Sequence, residues 1–253
     1  MAIFPGSAIP SGVTTYTIDQ SLRLVAADQA YLVKTFSGGD RQTWTYSCWA
    51  KRGIMESAGV ASYDALFGPH ADSSLSFAYN DISFYDGITN GWSLTTDRKF
   101  RDPSAWYHIV ATCDTTNAEA GDRVRLYVNG VRETSFSAET YPTQDLEGSF
   151  NNDVAHNVGS DNNTGYWFDG YLAEVNFIDG LALEPGSFGE TDEDTNQWKP
   201  IEYSGSYGTT GFYLKFQDSS DFGDDSSGNG NDFSVTNMVA TDQMTGESPT
   251  NNF

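Results

Sequence analysis

Basic residues are scarce in this sequence, because only 13 lysines and arginines stand against 35 aspartates and glutamates among its 253 residues. The formal net charge of −22 disfavours binding to nucleic acids and to anionic membranes, which attract basic surfaces. No apolar run approaches the length of a membrane-spanning helix. The first residues lack the basic and apolar parts of a secretory signal, so we expect synthesis in the cytoplasm. The sequence predicts a protein with no nucleic-acid and no membrane partner.

Cysteine and histidine are also rare. Cys48 and Cys113 each lie in an apolar, strand-like run, which favours two buried free thiols over a disulfide. His70, His108 and His156 are far apart and have no cysteine or histidine companion at zinc spacing. We expect His108 to be a hydrogen-bonded structural residue of a core strand and His70 to lie in a loop. No nucleophile turn of the Gly-x-Ser-x-Gly type and no phosphate-binding glycine loop occurs.

Long helical patterns are missing as well, and short alternating segments take their place. TWTYSCW, WYHIVATC, RVRLYV and YLAEVNFI alternate with period two, as half-buried strands do. Asn129-Gly130 directly follows RVRLYV and predicts a hairpin over residues 123–136. In that hairpin we expect Val124, Leu126 and Val128 to be buried, and Arg123 and Arg125 to be more exposed. A second hairpin is predicted around Asn80-Asp81, between SLSFAY and ISFY.

Only ALEPGSFG, residues 182–189, could hold a short helical turn. Many alternating strands with so little helix predict an all-β fold of two packed antiparallel sheets, a sandwich or jelly roll. We expect residues 1–13 to form an irregular arm and residues 14–253 to form a single domain. The final third of that domain, residues 179–232, is acidic and rich in Asn, Gly and Ser. That composition predicts a solvated, loop-rich edge.

Three segments resemble one known family. AWYHIVATCD (105–114) and RVRLYVNGVRE (123–133) look like the central strands of laminin-G-like jelly rolls in the concanavalin A-like lectin/glucanase superfamily. NVGSDNNTGYWFDGYLAEVNFIDGLAL (157–183) looks like the returning strand of that family, which carries Phe-Asp-Gly. The resemblance implies a concanavalin A-like jelly roll.

The two ends of the chain are similar to laminin-G-like proteins of marine bacteriophages, which occur in virion surface proteins such as fibres and head appendages. The segments concerned are YTIDQSLRLVAADQAYLVKTF, FIDGLALEPGSFGETDEDTNQWKP and GTTGFYLKFQDSSDFGDDSSGNGNDFSVTNMVATDQMTGESPTNNF. The resemblance implies a non-enzymatic component of the virion surface, either a head decoration or fibre or a tail fibre. It would be synthesised in the host cytoplasm and would join other capsid or tail proteins as a symmetric homo-oligomer.

The arm carries apolar residues that have no evident place in a sandwich. We expect Ile3, Phe4 and Ile9 to dock on a neighbouring subunit, since burial of such side chains stabilises an interface. Two alternatives stay open on the same scaffold, because one fold hosts many functions. One is a glycan-binding module for attachment to the host, and the other is a glycoside hydrolase.

The motif ETDED (190–194) is the feature that best suits an enzyme. Glu190, Asp192 and Asp194 would share one face of a strand, as carboxylates do on the catalytic strand of the related retaining glucanases. The flanking segments SFG and TNQW offer no apolar residues to hold a buried strand. We therefore expect an exposed acidic loop and no glycanase activity.

Aromatic rings beside turns are the candidates for sugar stacking. These candidates are Trp92 in ITNGWSLT, and Tyr166 and Trp167 in NNTGYWFDG. Trp44, Trp49 and Trp106 lie on alternating strands, and we assign them to packing.

The stretch DSSGNGNDF (225–233) is dense in oxygen-bearing side chains. Calcium prefers six to eight oxygen ligands, and laminin-G-like jelly rolls often bind it at the loop end of the sandwich. The candidate ligands are Asp218, Asp221, Asp224, Asp225, Asn229, Asn231 and Asp232, together with Asp161, Asn162 and Asn163. Asp and Asn also favour turns, because their side chains bond to nearby backbone. We expect a self-bonded turn cluster that enters a strand from Phe233, with Ca²⁺ binding as the second alternative.

Overall fold

A computed structural model of the chain describes residues 16–53, 63–70, 72–87, 91–161 and 166–251. The predicted docking arm with Ile3, Phe4 and Ile9 lies outside the described residues, as do Asn162 and Asn163. The described strands in chain order are β1 (Ser21–Leu24), β2 (Tyr31–Thr35), β3 (Thr43–Arg52), β4 (Tyr63–His70), β5 (Ser73–Ala78), β6 (Asp81–Asp86), β7 (Trp92–Thr96), β8 (Tyr107–Asp114), β9 (Val124–Val128), β10 (Val131–Arg132), β11 (Phe136–Thr140), β12 (Ala155–Val158), β13 (Gly170–Asp179), β14 (Gly189–Thr191), β15 (Trp198–Pro200), β16 (Phe212–Leu214), β17 (Ser234–Thr236) and β18 (Gln243–Met244).

Helical structure in the described ranges is limited to one-turn 3₁₀ segments. They are Ala26–Asp28, Ala120–Asp122, Pro185–Ser187 and Ala240–Asp242. The third of them confirms the short turn predicted within residues 182–189. Over the described residues, no helix has the length and apolar character needed to cross a membrane.

Two antiparallel sheets form the body of the fold. Sheet I has the strand order β10-β9-β8-β3-β13-β1-β18, with β16 also paired to β13. Sheet II has the order β11-β7-β6-β5-β4-β12-β2-β17. Strands β14 and β15 form a separate hairpin. The all-β, two-sheet sandwich predicted from alternation is confirmed, and the acidic segment 179–232 contributes β16 to sheet I and the separate hairpin β14–β15.

The Asn-Gly hairpin forms as predicted at its turn. Asn129 and Gly130 both have positive φ, 50° and 77°, which is the backbone that a two-residue hairpin turn requires. The three valine and leucine positions of β9 are buried, and the flanking arginines are half-buried, as expected. The hairpin is shorter than predicted, because β10 ends at Arg132. The chain then crosses to sheet II, where Phe136–Thr140 pairs with β7.

Alternation along β3 divides its side chains between two environments. Trp44, Tyr46 and Cys48 point into the core between the sheets, where Phe67 lies 4.7 Å from the Tyr46 ring. Trp49 belongs instead to a separate apolar cluster on the outer face of sheet I. Both faces of this strand are therefore buried, which requires a cover over the outer face of sheet I.

Both cysteines are buried free thiols, as predicted. They lie on neighbouring strands, but Cys48 is opposite Ile109 and Cys113 is opposite Trp44. Four residues of strand separate the two sulfur-bearing positions, which corresponds to roughly 13 Å. This separation is too large for a disulfide.

The expectation that His70 lies in a loop is wrong, because it is the last residue of β4 and pairs with Ser73.

His156 is enclosed in the core and stacks on Phe36 at 4.1 Å. Its Nε2 accepts the backbone N–H of Asn151 at 3.0 Å, and its Nδ1 lies 2.9 Å from the carbonyl oxygen of Val154. Since a backbone N–H can only donate, Nε2 carries no proton and Nδ1–H donates to Val154. Burial lowers the pKa of His156 to about 4, so the ring is neutral in the folded protein at neutral pH.

We expect His156 to make stability fall with decreasing pH. The unfolded chain takes up this proton near pH 6.5 and the folded chain only near pH 4, so the native state is penalised between those values. The loss is about 1.4 kcal/mol per pH unit for one such proton. His156→Gln should lower stability at pH 8 but give a shallower decline below pH 6.5 in urea unfolding. An equally steep decline in the variant would contradict this assignment.

The stretch DSSGNGNDF forms a turn cluster built around Asp225. The Asp225 carboxylate accepts the backbone N–H groups of Tyr213, Ser227 and Asn231 at 2.8–2.9 Å. The side-chain amides of Asn229 and Asn231 both donate to the Gly211 carbonyl oxygen at 2.9 Å. Strand β17 begins directly after Phe233. The predicted self-bonded cluster is confirmed, and it fastens the segment before β17 to β16.

We expect Asp225→Ala to destabilise the fold by about 3 kcal/mol, since hydrogen bonds to a charged acceptor contribute about 1.5–3 kcal/mol each. Asp224→Ala is the matched control. Asp224 is exposed, and partial desolvation together with the carboxylates of Asp232 and Asp221 raises its pKa, so its removal should not destabilise. Chemical denaturation of both variants measures the difference. Equal stability of the two would show that the Asp225 contacts do not hold the cluster.

Candidate functional site

The hairpin β14–β15 covers part of the outer face of sheet I. Its strands pair from Gly189 opposite Pro200 to Thr191 opposite Trp198. Asp192 closes the tip, because its Oδ1 accepts the backbone N–H groups of Asp194 and Thr195 at 3.0 and 2.9 Å. We call residues 192–197 the hairpin tip.

The sequence prediction for ETDED is therefore only partly right. Glu190 and Thr191 belong to a strand and not to a loop, because they pair with Lys199 and Trp198 across the hairpin. The side chains of Glu190 and Thr191 are nevertheless exposed, as are those of Glu193 and Asp194. The strand context was not visible in the sequence because its partner carries no alternating pattern.

Trp198 anchors the hairpin to sheet I. Its indole Nε1–H donates to His108 Nδ1 at 3.0 Å, and its ring stacks on the imidazole with centroids 5.9 Å apart. Gly130 and Gly189 lie against the same indole, and a β-carbon on either would overlap it. The absence of a side chain at these two positions lets the Trp198 ring pack closely against the Asn-Gly turn on one side and against strand β14 on the other.

His108 is a buried structural histidine, as predicted. Its Nε2 lies 2.9 Å from Ser47 Oγ, a distance that would suit a serine nucleophile and its base. The indole N–H of Trp198 can only donate, so Nδ1 is the acceptor and Nε2 carries the proton. Nε2–H therefore donates to Ser47, which is the wrong tautomer for removing its proton. Burial lowers the pKa of His108 to about 3, so the ring stays neutral.

A cavity of about 460 Å³ opens beside this anchor, and we call it the tryptophan pocket. Its apolar lining comes from Trp49, Trp106 and Trp198, and the half-buried Trp198 is the ring most open to a ligand, since Trp49 is 2% and Trp106 8% exposed. Trp106 is held by its own hydrogen bond, since its Nε1–H donates to Glu247 Oε1 at 3.1 Å. Val131, at the rim, is 63% exposed. The pocket has the size of a small-ligand site.

Three amide side chains supply the polar lining of the tryptophan pocket, those of Asn129, Asn196 and Gln197. Asn129 Oδ1 accepts the backbone N–H of His108 at 2.8 Å, which fixes the side chain and leaves its Nδ2 for a ligand. The amides of Asn196 and Gln197 are exposed and bond to no side chain or backbone group of the described residues. Flat rings with amides around them suit a ligand that has an apolar face and several hydroxyl groups.

A buried carboxylate lies beneath the hairpin on the same face of sheet I. Glu174 occupies a bulge of β13 with a φ of +51°, and its Oε2 accepts the hydroxyls of Tyr16, at 2.6 Å, and Tyr213. Desolvation raises the pKa of Glu174, and the two phenol donors oppose that rise. Both phenols point at one oxygen, so Glu174 acts as a fixed acceptor that holds Tyr16 against the sheet.

The sequence-predicted sugar residues lie elsewhere. Trp92 was expected at a loop rim, but it is buried in the core against Phe84 at 4.6 Å, and its ring is not exposed to a ligand. Tyr166 is 38% exposed and meets the edge of Tyr63 at 5.3 Å, while Trp167 is half-buried. A role for Tyr166 and Trp167 in sugar binding stays a prediction.

Trp49 and Trp106, assigned to packing, are indeed buried, yet they also line the tryptophan pocket. A signal for this was present in the sequence. Trp44 and Trp49 are five residues apart on one strand, so they must point to opposite faces. Trp198, Asn129, Asn196 and Gln197 were missed because they come from turns and from a short hairpin without alternation.

The candidate calcium ligands are used within their own turns. Asp218 Oδ1 accepts the backbone N–H of Ser220 at 2.8 Å, and Asp221 Oδ1 accepts that of Gly223 at 3.1 Å. Asp161 Oδ1 accepts the backbone N–H of Tyr166 at 3.3 Å. In the parts of the chain that the structure describes, no group of three or more His, Cys, Asp or Glu side chains could hold a metal ion. Calcium binding stays a prediction.

Solved structures with the same architecture include a candidate carbohydrate-binding protein from Bacteroides ovatus. It is 13% identical, with a TM-score of 0.54, over 87% of this chain and 58% of that protein. A heptameric pentraxin from Limulus polyphemus is 10% identical with a TM-score of 0.47, over 67% of this chain and 80% of its own. Domain 4 of an extracellular arabinanase from Geobacillus stearothermophilus, solved with arabinotriose, is 18% identical with a TM-score of 0.42, over 57% and 64%.

At 13% identity the Bacteroides ovatus structure shows a shared fold and no more. No curated protein matches the sequence. A family model described as the concanavalin A-like lectin/glucanases superfamily matches residues 26–185, which is more than half of the chain. The chain belongs to the laminin-G-like branch of the concanavalin A-like lectin/glucanase superfamily.

Proposed function

We propose that this chain is a non-enzymatic glycan-binding module and that the tryptophan pocket is its ligand site. The observation that carries the proposal is one cavity of about 460 Å³ that the half-buried ring of Trp198 lines together with three amide side chains, over the largely buried Trp49 and Trp106. The apolar faces of sugar rings stack on aromatic rings, and sugar hydroxyls need donors and acceptors at the rim. The Bacteroides ovatus structure, itself a candidate carbohydrate-binding protein, supports the same assignment for the fold.

The charge around the pocket favours a neutral sugar. Glu190, Asp192, Glu193 and Asp194 lie on the hairpin that borders the pocket, and Lys199 is the cation beside them, bound to Glu190 at 3.3 Å and to Asp192 at 3.1 Å. The chain as a whole carries a formal charge of −22. A sialylated, sulfated or uronic acid sugar would meet like charge on approach.

The resemblance of the chain ends to phage surface proteins adds a location to the proposal. A module displayed on a virion could present the pocket to host glycans, and the acidic surface would face away from packaged DNA. None of the structures named above is a virion protein, so this location and the symmetric oligomer stay predictions. Incorporation of the protein into purified virions is the observation that tests them.

The absence of enzymatic activity is part of the proposal and rests on the protonation of the candidate groups. A glycosidase needs one carboxyl group with a raised pKa beside a second, ionised one. Hydrogen bonds from Thr195 and Lys199 lower the pKa of Asp192 to about 2, so this group is an ion and not a proton donor. Glu174 has a raised pKa, but Tyr16 and Tyr213 occupy one of its oxygens beneath the hairpin.

We expect Val131→Glu to weaken glycan binding at least tenfold, because it places bulk and a negative charge at the mouth of the tryptophan pocket. Val239→Glu is the matched control, since Val239 is also 63% exposed and does not line the pocket. A broad glycan array with wild type selects the ligand, and titration by tryptophan fluorescence compares the variants. No bound glycan, or equal affinity of the two variants, would contradict the proposal.

We also expect no release of reducing sugar when the protein is incubated with β-glucans. The triple variant Glu190→Gln, Asp192→Asn, Asp194→Asn provides the comparison, and it should keep the fold because Glu190 and Asp194 are exposed and Asn at position 192 still has an oxygen that accepts the N–H groups of the tip. Hydrolysis by wild type that disappears in the triple variant would show that the hairpin carboxylates are catalytic.

A further inference from the structure

A second cavity shares the hairpin tip with the tryptophan pocket. It has a volume of about 230 Å³, and its lining includes Tyr16, Thr17, Lys199 and Thr250. We call it the tyrosine pocket. Gln197 lines both cavities, so the two meet at this side chain.

One apolar cluster lies beneath both cavities. It joins Trp49, Trp106 and Trp198 of the tryptophan pocket to Ile18 and Tyr16 at the tyrosine pocket. Thr250 fixes the second end of this floor, because its Oγ1 accepts the backbone N–H of Ile18 and donates to the Ile18 carbonyl oxygen, each at 2.9 Å. The floor is therefore continuous under the tip, and its ends are rigidly held.

The two cavities are chemically alike. Each has an aromatic wall and a polar rim, and Gln197 presents a side-chain amide to both. In the tyrosine pocket the charge of Lys199 is matched by Glu190 and Asp192, so the rim offers no net attraction to an anionic group. The Tyr16 hydroxyl donates to Glu174, which holds the ring in place beside the cavity.

We propose that the two pockets are successive subsites for one neutral oligosaccharide chain, which passes over Gln197 at the hairpin tip. This inference rests on the proposed glycan-binding function and adds that the ligand is a chain and not a single terminal sugar. A chain would stack on the indole rings at one end and reach the Tyr16 wall at the other.

The experiment is titration of the wild-type protein with linear neutral gluco-, manno-, galacto-, xylo- and arabino-oligosaccharides of one to five units. For the sugar that binds, affinity should rise at least tenfold from one unit to three. Thr17→Phe should abolish that rise while leaving affinity for the single sugar unchanged, because the exposed Thr17 lines only the tyrosine pocket. Thr17→Val, of the same size as threonine, should bind chains like wild type.

The outcomes separate the two proposals. If wild type binds no glycan of the broad array and no sugar of the panel, the glycan-binding function is wrong, and this inference is wrong with it. If the array yields a ligand but no sugar of the panel binds, only this inference is overturned. If sugars bind with an affinity that does not depend on chain length, and Thr17→Phe binds like Thr17→Val, only the two-subsite inference is overturned. Thermal unfolding verifies that Thr17→Phe is folded; if it is not, Thr17→Leu, which adds less bulk at the same position, replaces it.

Discussion

The hydrogen bond from the Trp198 indole to His108 Nδ1 is the contact on which the candidate site depends. It seats the hairpin β14–β15 on sheet I and places one wall of the tryptophan pocket. It also selects the tautomer of His108, so that Nε2–H donates to Ser47 and the buried ring stays neutral. A charged imidazolium could not accept the indole proton, so the low pKa of His108 and the position of the hairpin support each other.

The outer face of sheet I has to be covered because of the residues that its strands carry. One face of an antiparallel sheet usually meets the core and the other meets water, with polar residues outward. Here the outer face carries Trp49 in one apolar cluster, and Val110, Tyr127 and Ile178 in another. Such a face left bare would be a large exposed apolar patch. The chain from β14 onward covers most of it, and the tryptophan pocket lies where the cover is incomplete.

The sequence predicted the body of the fold well, because the strands of a half-buried sheet alternate and Asn-Gly marks a tight hairpin. Asn129 and Gly130 of the β9–β10 turn have the positive φ values that this signal implies. The site was predicted poorly for a different reason. Trp198 and Gln197 reach the pocket through a hairpin that packs on sheet I, whose strands lie far from it in the sequence. The local sequence pattern also gave a wrong prediction for Trp92, because the turn beside this residue does not reveal that its side chain points into the core.

Acidic and amide side chains are frequent in both the turn cluster around Asp225 and the hairpin tip, yet these side chains do different things. In the turn cluster, the side-chain amides of Asn229 and Asn231 both donate to the Gly211 carbonyl oxygen, so these N–H groups hold the loop together. At the tip, the side-chain amides of Asn196 and Gln197 make no hydrogen bond to another described residue, and both side chains line the tryptophan pocket. Composition cannot distinguish these cases, because both favour turns. The distinction is whether a backbone carbonyl lies within reach, and where none does, a polar side chain is left for a ligand.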